Sequence, residues 1–298
     1  MTSDRTGITI LDGGMSRELM RLGAPFRQPE WSALALIEAP DTVREAHAAF
    51  ARAGAQVLTT NAYAVVPFHL GDEGFARDGR RLAALSAELT RQAADEFAGV
   101  RVAGCVPPPL GSYRPDLFDA DPTKARQVLE VLVEAQAPFV DLWLIETMSS
   151  IAEASLAIEV VQASSSPEPI WVAFTVDDDV DGTTLRSGES VSDATRAVAS
   201  AGVAAVAFNC SQPEVLESSL RLARAATDLP LGVYANVLDG HTSAGANETV
   251  HHSRDDASPE VYADWADRWI DAGASIVGGC CGITSEYIEA LVDHLAAE

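Results

Sequence analysis

Short β-branched runs alternate with longer amphipathic segments along nearly the whole chain. The runs read as strands and the amphipathic segments as helices. The first strand is Ile8–Leu11, ending at Asp12-Gly13-Gly14, with helices near Ser16–Leu22 and Asp41–Ala53 after it. Strand two is Val57–Thr60, with a helix over Arg80–Phe97. Strand three is Val102–Val106, with a helix over Pro122–Ala135. Strand four is Leu142–Ile145, ending at Glu146-Thr147, with a helix near Ile151–Ala163. Strand five is Ile170–Val176, then a helix near Val191–Ala201. Strand six is Ala204–Phe208, ending at Asn209-Cys210, then a helix near Pro213–Ala226. Strand seven is Leu231–Tyr234, then a helix near Pro259–Ala272. Strand eight is Ser275–Val277, ending at Gly278-Gly279-Cys280-Cys281, and a last helix starts near Ser285.

Strands that are apolar almost throughout belong to a parallel sheet covered on both faces. Eight strand–helix alternations at this length predict an α/β fold, a closed (β/α)8 TIM barrel forming one domain over residues 1–298. A doubly wound open sheet is the alternative. Asp41 and Ser258 read as helix N-caps, Ser258 with proline directly behind it. Gly54 and Gly273 stand where helices hand over to strands. Two connections are long, the one after strand three and the one after strand seven, about residues 236–258. Both leave the strand ends where a barrel builds its active site.

Composition changes this picture little: the 298 residues are 47% hydrophobic and 21% charged, so the core needs no staples. The net charge of −24 matters more, because it repels nucleic acid and acidic membrane surfaces. It attracts a cationic ligand mildly, and it also serves solubility or a saline habitat. Four cysteines are too few for a disulfide scaffold. The first residues hold no signal-peptide core, and no run is long enough to span a membrane. A reducing cytoplasm is the expected location.

In a barrel, Cys210, Cys280 and Cys281 share one rim. Adjacent cysteines cannot both follow strand alternation, and Gly278, Gly279 and Gly282 supply freedom to aim them together. Three thiolates suit Zn2+ and leave a fourth position open, as in a catalytic site. A substrate thiol entering that position is deprotonated and becomes a nucleophile. Other readings stand beside this one: buried cysteines as small hydrophobes, a Cys280–Cys281 disulfide, or a structural zinc recruiting His241, His251 or His252. Cys105, inside strand three, reads as core packing.

These residues resemble the homocysteine S-methyltransferase family, which includes betaine–homocysteine, S-methylmethionine–homocysteine and selenocysteine methyltransferases. The likeness runs through Leu11-Asp12-Gly13-Gly14, Thr59-Thr60-Asn61-Ala62-Tyr63, Ile145-Glu146-Thr147, Phe208-Asn209-Cys210-Ser211 and Gly278-Gly279-Cys280-Cys281-Gly282. It implies a barrel, a zinc held by Cys210, Cys280 and Cys281, and methyl transfer to homocysteine or, as a close variant, selenocysteine. It further implies that Asp12 and Glu146 bind the α-ammonium, and that backbone amides near Gly13 and Thr60 or Asn61 hold the carboxylate. Taken alone, Asp12 reads as a turn residue and Glu146 as half of an ion pair.

The chain departs from the family after strands three and seven, at Val106-Pro107-Pro108-Pro109-Leu110-Gly111-Ser112-Tyr113 and Tyr234-Ala235-Asn236-Val237-Leu238-Asp239-Gly240. By the same resemblance, these loops are expected to lie near the donor side. S-methylmethionine, S-adenosylmethionine, betaine and dimethylsulfoniopropionate all fit the chemistry, and the compact length favours a sulfonium donor and a stand-alone enzyme. Aromatic faces suit such a cation. Tyr63, Trp31, Tyr113 and Trp143 are candidates, each also readable as core. The partners are then a small thiol and a methyl donor. Rival readings are a non-catalytic zinc-binding or regulatory barrel, and a metal-dependent hydrolase. The hydrolase is disfavoured because His47, His69, His241, His251, His252 and His294 do not sit at strand ends.

Overall fold

The computed structural model describes residues 7–166, 168–179, 181–239 and 252–297. Eight parallel strands run in chain order around a ring: β1 (Thr9–Ile10), β2 (Val57–Thr59), β3 (Arg101–Val106), β4 (Leu142–Met148), β5 (Ile170–Phe174), β6 (Ala205–Asn209), β7 (Leu231–Ala235) and β8 (Ala274–Gly279). β1 pairs with β8, and a parallel bridge between Leu11 and Val57 joins β1 to β2. That closure makes the (β/α)8 barrel and excludes the open sheet.

Side chains alternate along each strand. Leu142 and Leu144 of β4, Ala205 and Ala207 of β6, Tyr234 of β7 and Ile276 of β8 fill the barrel interior. Their neighbours Trp143, Ile145, Val206, Phe208, Val233 and Val277 face the helical layer. Trp143 is therefore a core residue between sheet and helices, fully buried, and not part of a donor cage.

The helices between the strands are α1 (Met15–Arg21), α2 (Ala33–Glu38), α3 (Pro40–Arg52), α4 (Pro67–Ala94), α5 (Pro115–Ala120), α6 (Pro122–Gln136), α7 (Ile151–Ala163), α8 (Val191–Ser200), α9 (Leu216–Arg224), α10 (Pro259–Asp271) and α11 (Ser285–Ala296). Ser258 caps α10 as expected, accepting from Val261 N at 3.3 Å with Pro259 in the first turn. Asp41 does not cap α3. Pro40 begins that helix, and Asp41 lies in its first turn, where a carboxylate meets the positive end of the helix dipole. Gly54 and Gly273 exit their helices at positive φ, as expected.

Three differences have physical causes. α4 begins at Pro67 instead of Arg80, because Gly71 breaks the helix at φ 70 and hides the apolar period before it. α2 and α5 are under two turns long, too short for a period to register. β4 continues through Glu146 and Thr147 to Met148, with an irregular register against β5 between Ile145 and Met148. Among the described residues no helix is long and apolar enough to cross a membrane.

Candidate active site

The strand ends bring Cys210, Cys280 and Cys281 together: their sulfurs all lie within 4.8 Å of one another, and Cys210 Sγ is 3.7 Å from Cys281 Sγ. Metal–sulfur bonds of about 2.3 Å at tetrahedral angles separate two sulfurs by about 3.8 Å, so the donor set fits a metal such as zinc. All four cysteines are free thiols, and Cys280 is not bonded to Cys281. Among the described residues no histidine or carboxylate joins the three sulfurs. His241 and His251 lie outside the described residues. His252 is exposed, on a segment whose backbone bonds to Asp239.

Backbone conformation aims each sulfur. Strand parity would turn Cys210 outward with Phe208, but its left-handed φ of 52 redirects the side chain into the barrel mouth. Cys280 and Cys281 occupy the first two positions of a turn closed by Ile283 N donating to Cys280 O at 3.1 Å. Gly282, at φ 92, takes the third position, which in a type II turn requires positive φ. Gly278 and Gly279 do something other than the flexing expected of them: neither has positive φ. They admit close packing, because a Cβ on Gly278 would lie 2.4 Å from Leu11 Cβ, and one on Gly279 would lie 2.1 Å from Ile283 Cγ2.

The same rim carries two buried carboxylates. Asp12 Oδ2 accepts from Thr59 N at 2.7 Å and Oδ1 from Thr59 Oγ1 at 3.0 Å. Glu146 accepts from the thiol of Cys105 at 3.0 Å and from the hydroxyl of Tyr234 at 3.4 Å. Neither is in an ion pair with a cation among the described residues. Burial pushes the Asp12 carboxyl up to about 8 and that of Glu146 up to about 7. Two acids desolvated side by side without a counter-charge are poised for a cationic ligand. Cys105 is thus more than packing: it is buried, yet its thiol reaches the site.

Of the amides expected to hold a carboxylate, that of Thr60 is committed to the sheet, donating to Ala103 O at 2.9 Å. The Thr60 side chain is committed too, donating to Gln136 Oε1. The amides of Gly13 and Asn61 make no hydrogen bond among the described residues. Asn61 Oδ1 is buried without a partner, while its Nδ2 donates to Ser32 O at 3.1 Å. The usable pair is therefore Gly13 and Asn61.

The three metal-site cysteines, Asp12, Gly13, Thr60, Asn61 and Glu146 line one pocket, Cys105 does not, and Trp31, Tyr63, Tyr113, Phe26, His69, Arg17 and Met20 line it as well. Tyr63 bonds Ser112 Oγ at 2.7 Å, and Tyr113 donates its hydroxyl to Cys210 Sγ at 2.9 Å. Bonds from Cys280, Cys281 and Tyr113 favour the thiolate at Cys210, which in turn holds the other two thiols protonated. Burial keeps Tyr113 itself protonated. His69, Phe26 and Arg17 were not singled out by sequence. They come from α4, from the segment before α2 and from α1, where no strand-end rule points.

The homocysteine S-methyltransferase family model matches residues 9–295. Homocysteine S-methyltransferase 1 of Zea mays is 32% identical over 96% of this chain and 93% of its own. Homocysteine S-methyltransferase of Escherichia coli (strain K12) is 32% identical over 97% of this chain and 95% of its own. The metallated form of the E. coli homocysteine methyltransferase MmuM superposes with a TM-score of 0.75 at 27% identity, covering 98% of this chain and 97% of that one. With this barrel and these motifs at its rim, the chain belongs to the homocysteine S-methyltransferase family and is a methyltransferase.

Proposed function

We propose that the protein transfers a methyl group from a sulfonium or quaternary ammonium donor to the sulfur of homocysteine, giving methionine, with Zn2+ held by Cys210, Cys280 and Cys281. The observation that carries this reading is that three clustered thiols and two buried carboxylates line one pocket. Zinc bound there supplies Lewis acidity that lowers the pKa of a coordinated thiol.

The residues of the chain do the rest. Asp12 and Glu146 accept hydrogen bonds from the substrate ammonium, a charge-assisted contact that also repairs their desolvation. The amides of Gly13 and Asn61 receive the substrate carboxylate, and Asn61 Oδ1 offers a further acceptor to the ammonium. Trp31, Tyr63 and Tyr113 present aromatic faces to the donor cation. The homocysteine thiolate attacks the donor methyl carbon in line as the bond to the donor sulfur or nitrogen breaks. The bonding pair stays with the departing atom, which leaves neutral, so no acid is needed for the leaving group. The work is alignment in a dry pocket.

The test is incubation of the purified protein with homocysteine and, separately, S-methylmethionine, S-adenosylmethionine, betaine and dimethylsulfoniopropionate. Methionine is read by mass spectrometry. Formation with one donor and not others supports the reading and identifies the donor; no methionine from any of them contradicts it.

A further inference from the structure

Behind Cys210, Arg186 and Asp178 close a ring with Tyr113 and the Cys210–Gln212 segment, and the proposed chemistry uses neither Arg186 nor Asp178. Arg186, on the connection after β5, donates from Nη2 to Asp178 Oδ2 at 2.9 Å and from Nε to Thr175 Oγ1 at 3.1 Å. The paired side chains are 10% and 3% exposed, so this is an interior ion pair. The Arg186 guanidinium carbon lies 4.8 Å from the centre of the Tyr113 ring. Tyr113 donates its hydroxyl to Cys210 Sγ at 2.9 Å. Asp178 completes the circle: its Oδ1 accepts from the amide of Gln212 at 2.8 Å, two residues past Cys210.

Both ends of the Tyr113–Cys210 bond are backbone-strained. Tyr113 has φ 63 and Cys210 has φ 52, in the left-handed region that residues other than glycine rarely adopt. Such conformations persist where the surroundings over-determine them, and the ring supplies that constraint. A guanidinium suits the place because it is flat enough to lie on an aromatic face while still donating in its own plane.

We infer that Arg186 is a positioning residue for the metal centre. Anchored by Asp178, it holds the Tyr113 hydroxyl on Cys210 and fixes the direction of that sulfur relative to Cys280 and Cys281. This inference rests on the zinc reading above. Groups that orient a ligand in this way typically change metal affinity 10- to 100-fold when removed.

The test compares wild type with Arg186→Met, Tyr113→Phe and the double variant. Zinc affinity is measured by competition with a chromophoric chelator, and the sulfur-to-metal absorption band is recorded after substitution with Co2+. Each single variant is expected to bind zinc about 10- to 100-fold more weakly. The double variant is expected to be no weaker than the weaker single, because the two residues act as one unit. Both singles move the Co2+ band to lower energy, since Cys210 loses its donor; a residue that only staples the loop leaves the band in place. Arg186→Lys keeps the charge without the planar stack and behaves like Arg186→Met; it replaces that variant should Arg186→Met not fold. Arg196→Met, removing an exposed arginine paired with Asp193, controls for lost charge and leaves affinity unchanged. Unmoved bands, or single effects that multiply in the double variant, overturn the inference. A wild type that binds no zinc overturns the zinc reading itself.

Discussion

The thiol of Cys105 on β3 donates to Glu146 Oε1 on β4 at 3.0 Å, inside the barrel mouth. A bond to the ionised carboxyl lowers its pKa, so Cys105 partly offsets the upward push of burial on Glu146. Cys105→Ala therefore moves the Glu146 carboxyl further up. The homocysteine KM is expected to rise about 5-fold at pH 7, on the order of 1 kcal/mol for one such bond, and less at pH 9. Cys105→Ser, which keeps a donor, restores most of the loss. An alanine variant with wild-type KM at both pH values would reduce Cys105 to filler.

The carboxyl groups of Asp12 and Glu146 are raised by burial, to about 8 and about 7. An ammonium needs both ionised, so affinity for the amino-acid moiety rises as pH climbs through 6 to 8. Binding at neutral pH then releases protons. Methionine is the better probe here, because it has no thiol to titrate. Calorimetry in two buffers of different ionisation enthalpy is expected to show proton release at pH 7, diminished in Glu146→Gln. Proton uptake, or none, contradicts the assignment of these two residues to the ammonium.

Glu153 tests burial away from the site. Its Oε2 accepts from Ser149 N at 2.8 Å at the start of α7, and burial pushes its carboxyl up to about 8. A group raised in the folded state stabilises most below its unfolded pKa and loses that contribution as pH rises through the folded value. Glu153 therefore contributes most near pH 5 and below, and its contribution falls by a few kcal/mol by pH 9, at about 1.4 kcal/mol per unit. Glu153→Gln keeps an acceptor for Ser149 and flattens the fall in melting temperature between pH 5 and 9. Parallel curves for the two proteins rule this out.

Gly14 connects the first strand to the metal loop without a side chain that could ligate the metal, its amide donating to Ile283 O at 2.7 Å. A Cβ there would lie 2.4 Å from Cys280 O and 3.3 Å from Cys281 Cα. Gly14→Ala is expected to shift the Cys280–Cys281 turn and weaken zinc binding about tenfold or more, with every sulfur retained. Wild-type zinc affinity in this variant would show that the turn yields elsewhere.

The barrel was legible because its strands are short and apolar and alternate with amphipathic segments, and because five of them, β1, β2, β4, β6 and β8, end in a recognisable motif. The sulfurs were legible once the barrel was, since Cys210, Cys280 and Cys281 each stand at a strand end. What escaped is what depends on direction. Nothing in the sequence of β3 says that Cys105 points inward at Glu146, until register places it beside Leu144, two residues before that glutamate. Trp143, adjacent to Leu144, takes the opposite parity and leaves the site for the core. Tyr113 was visible as an aromatic near the rim but not as a donor to sulfur, because its orientation comes from Arg186, more than seventy positions away. The roles of Gly278 and Gly279 were misread for a similar cause: close approach between segments leaves no trace in a single chain's pattern.

The most direct measurement is the metal content of the purified protein and of Cys210→Ala, Cys280→Ala and Cys281→Ala, with melting curves to verify folding. One zinc per chain in the wild type, and none in each folded variant, is the expected result. A wild type without zinc, or a variant that keeps a full equivalent, would contradict a metal held by these three sulfurs.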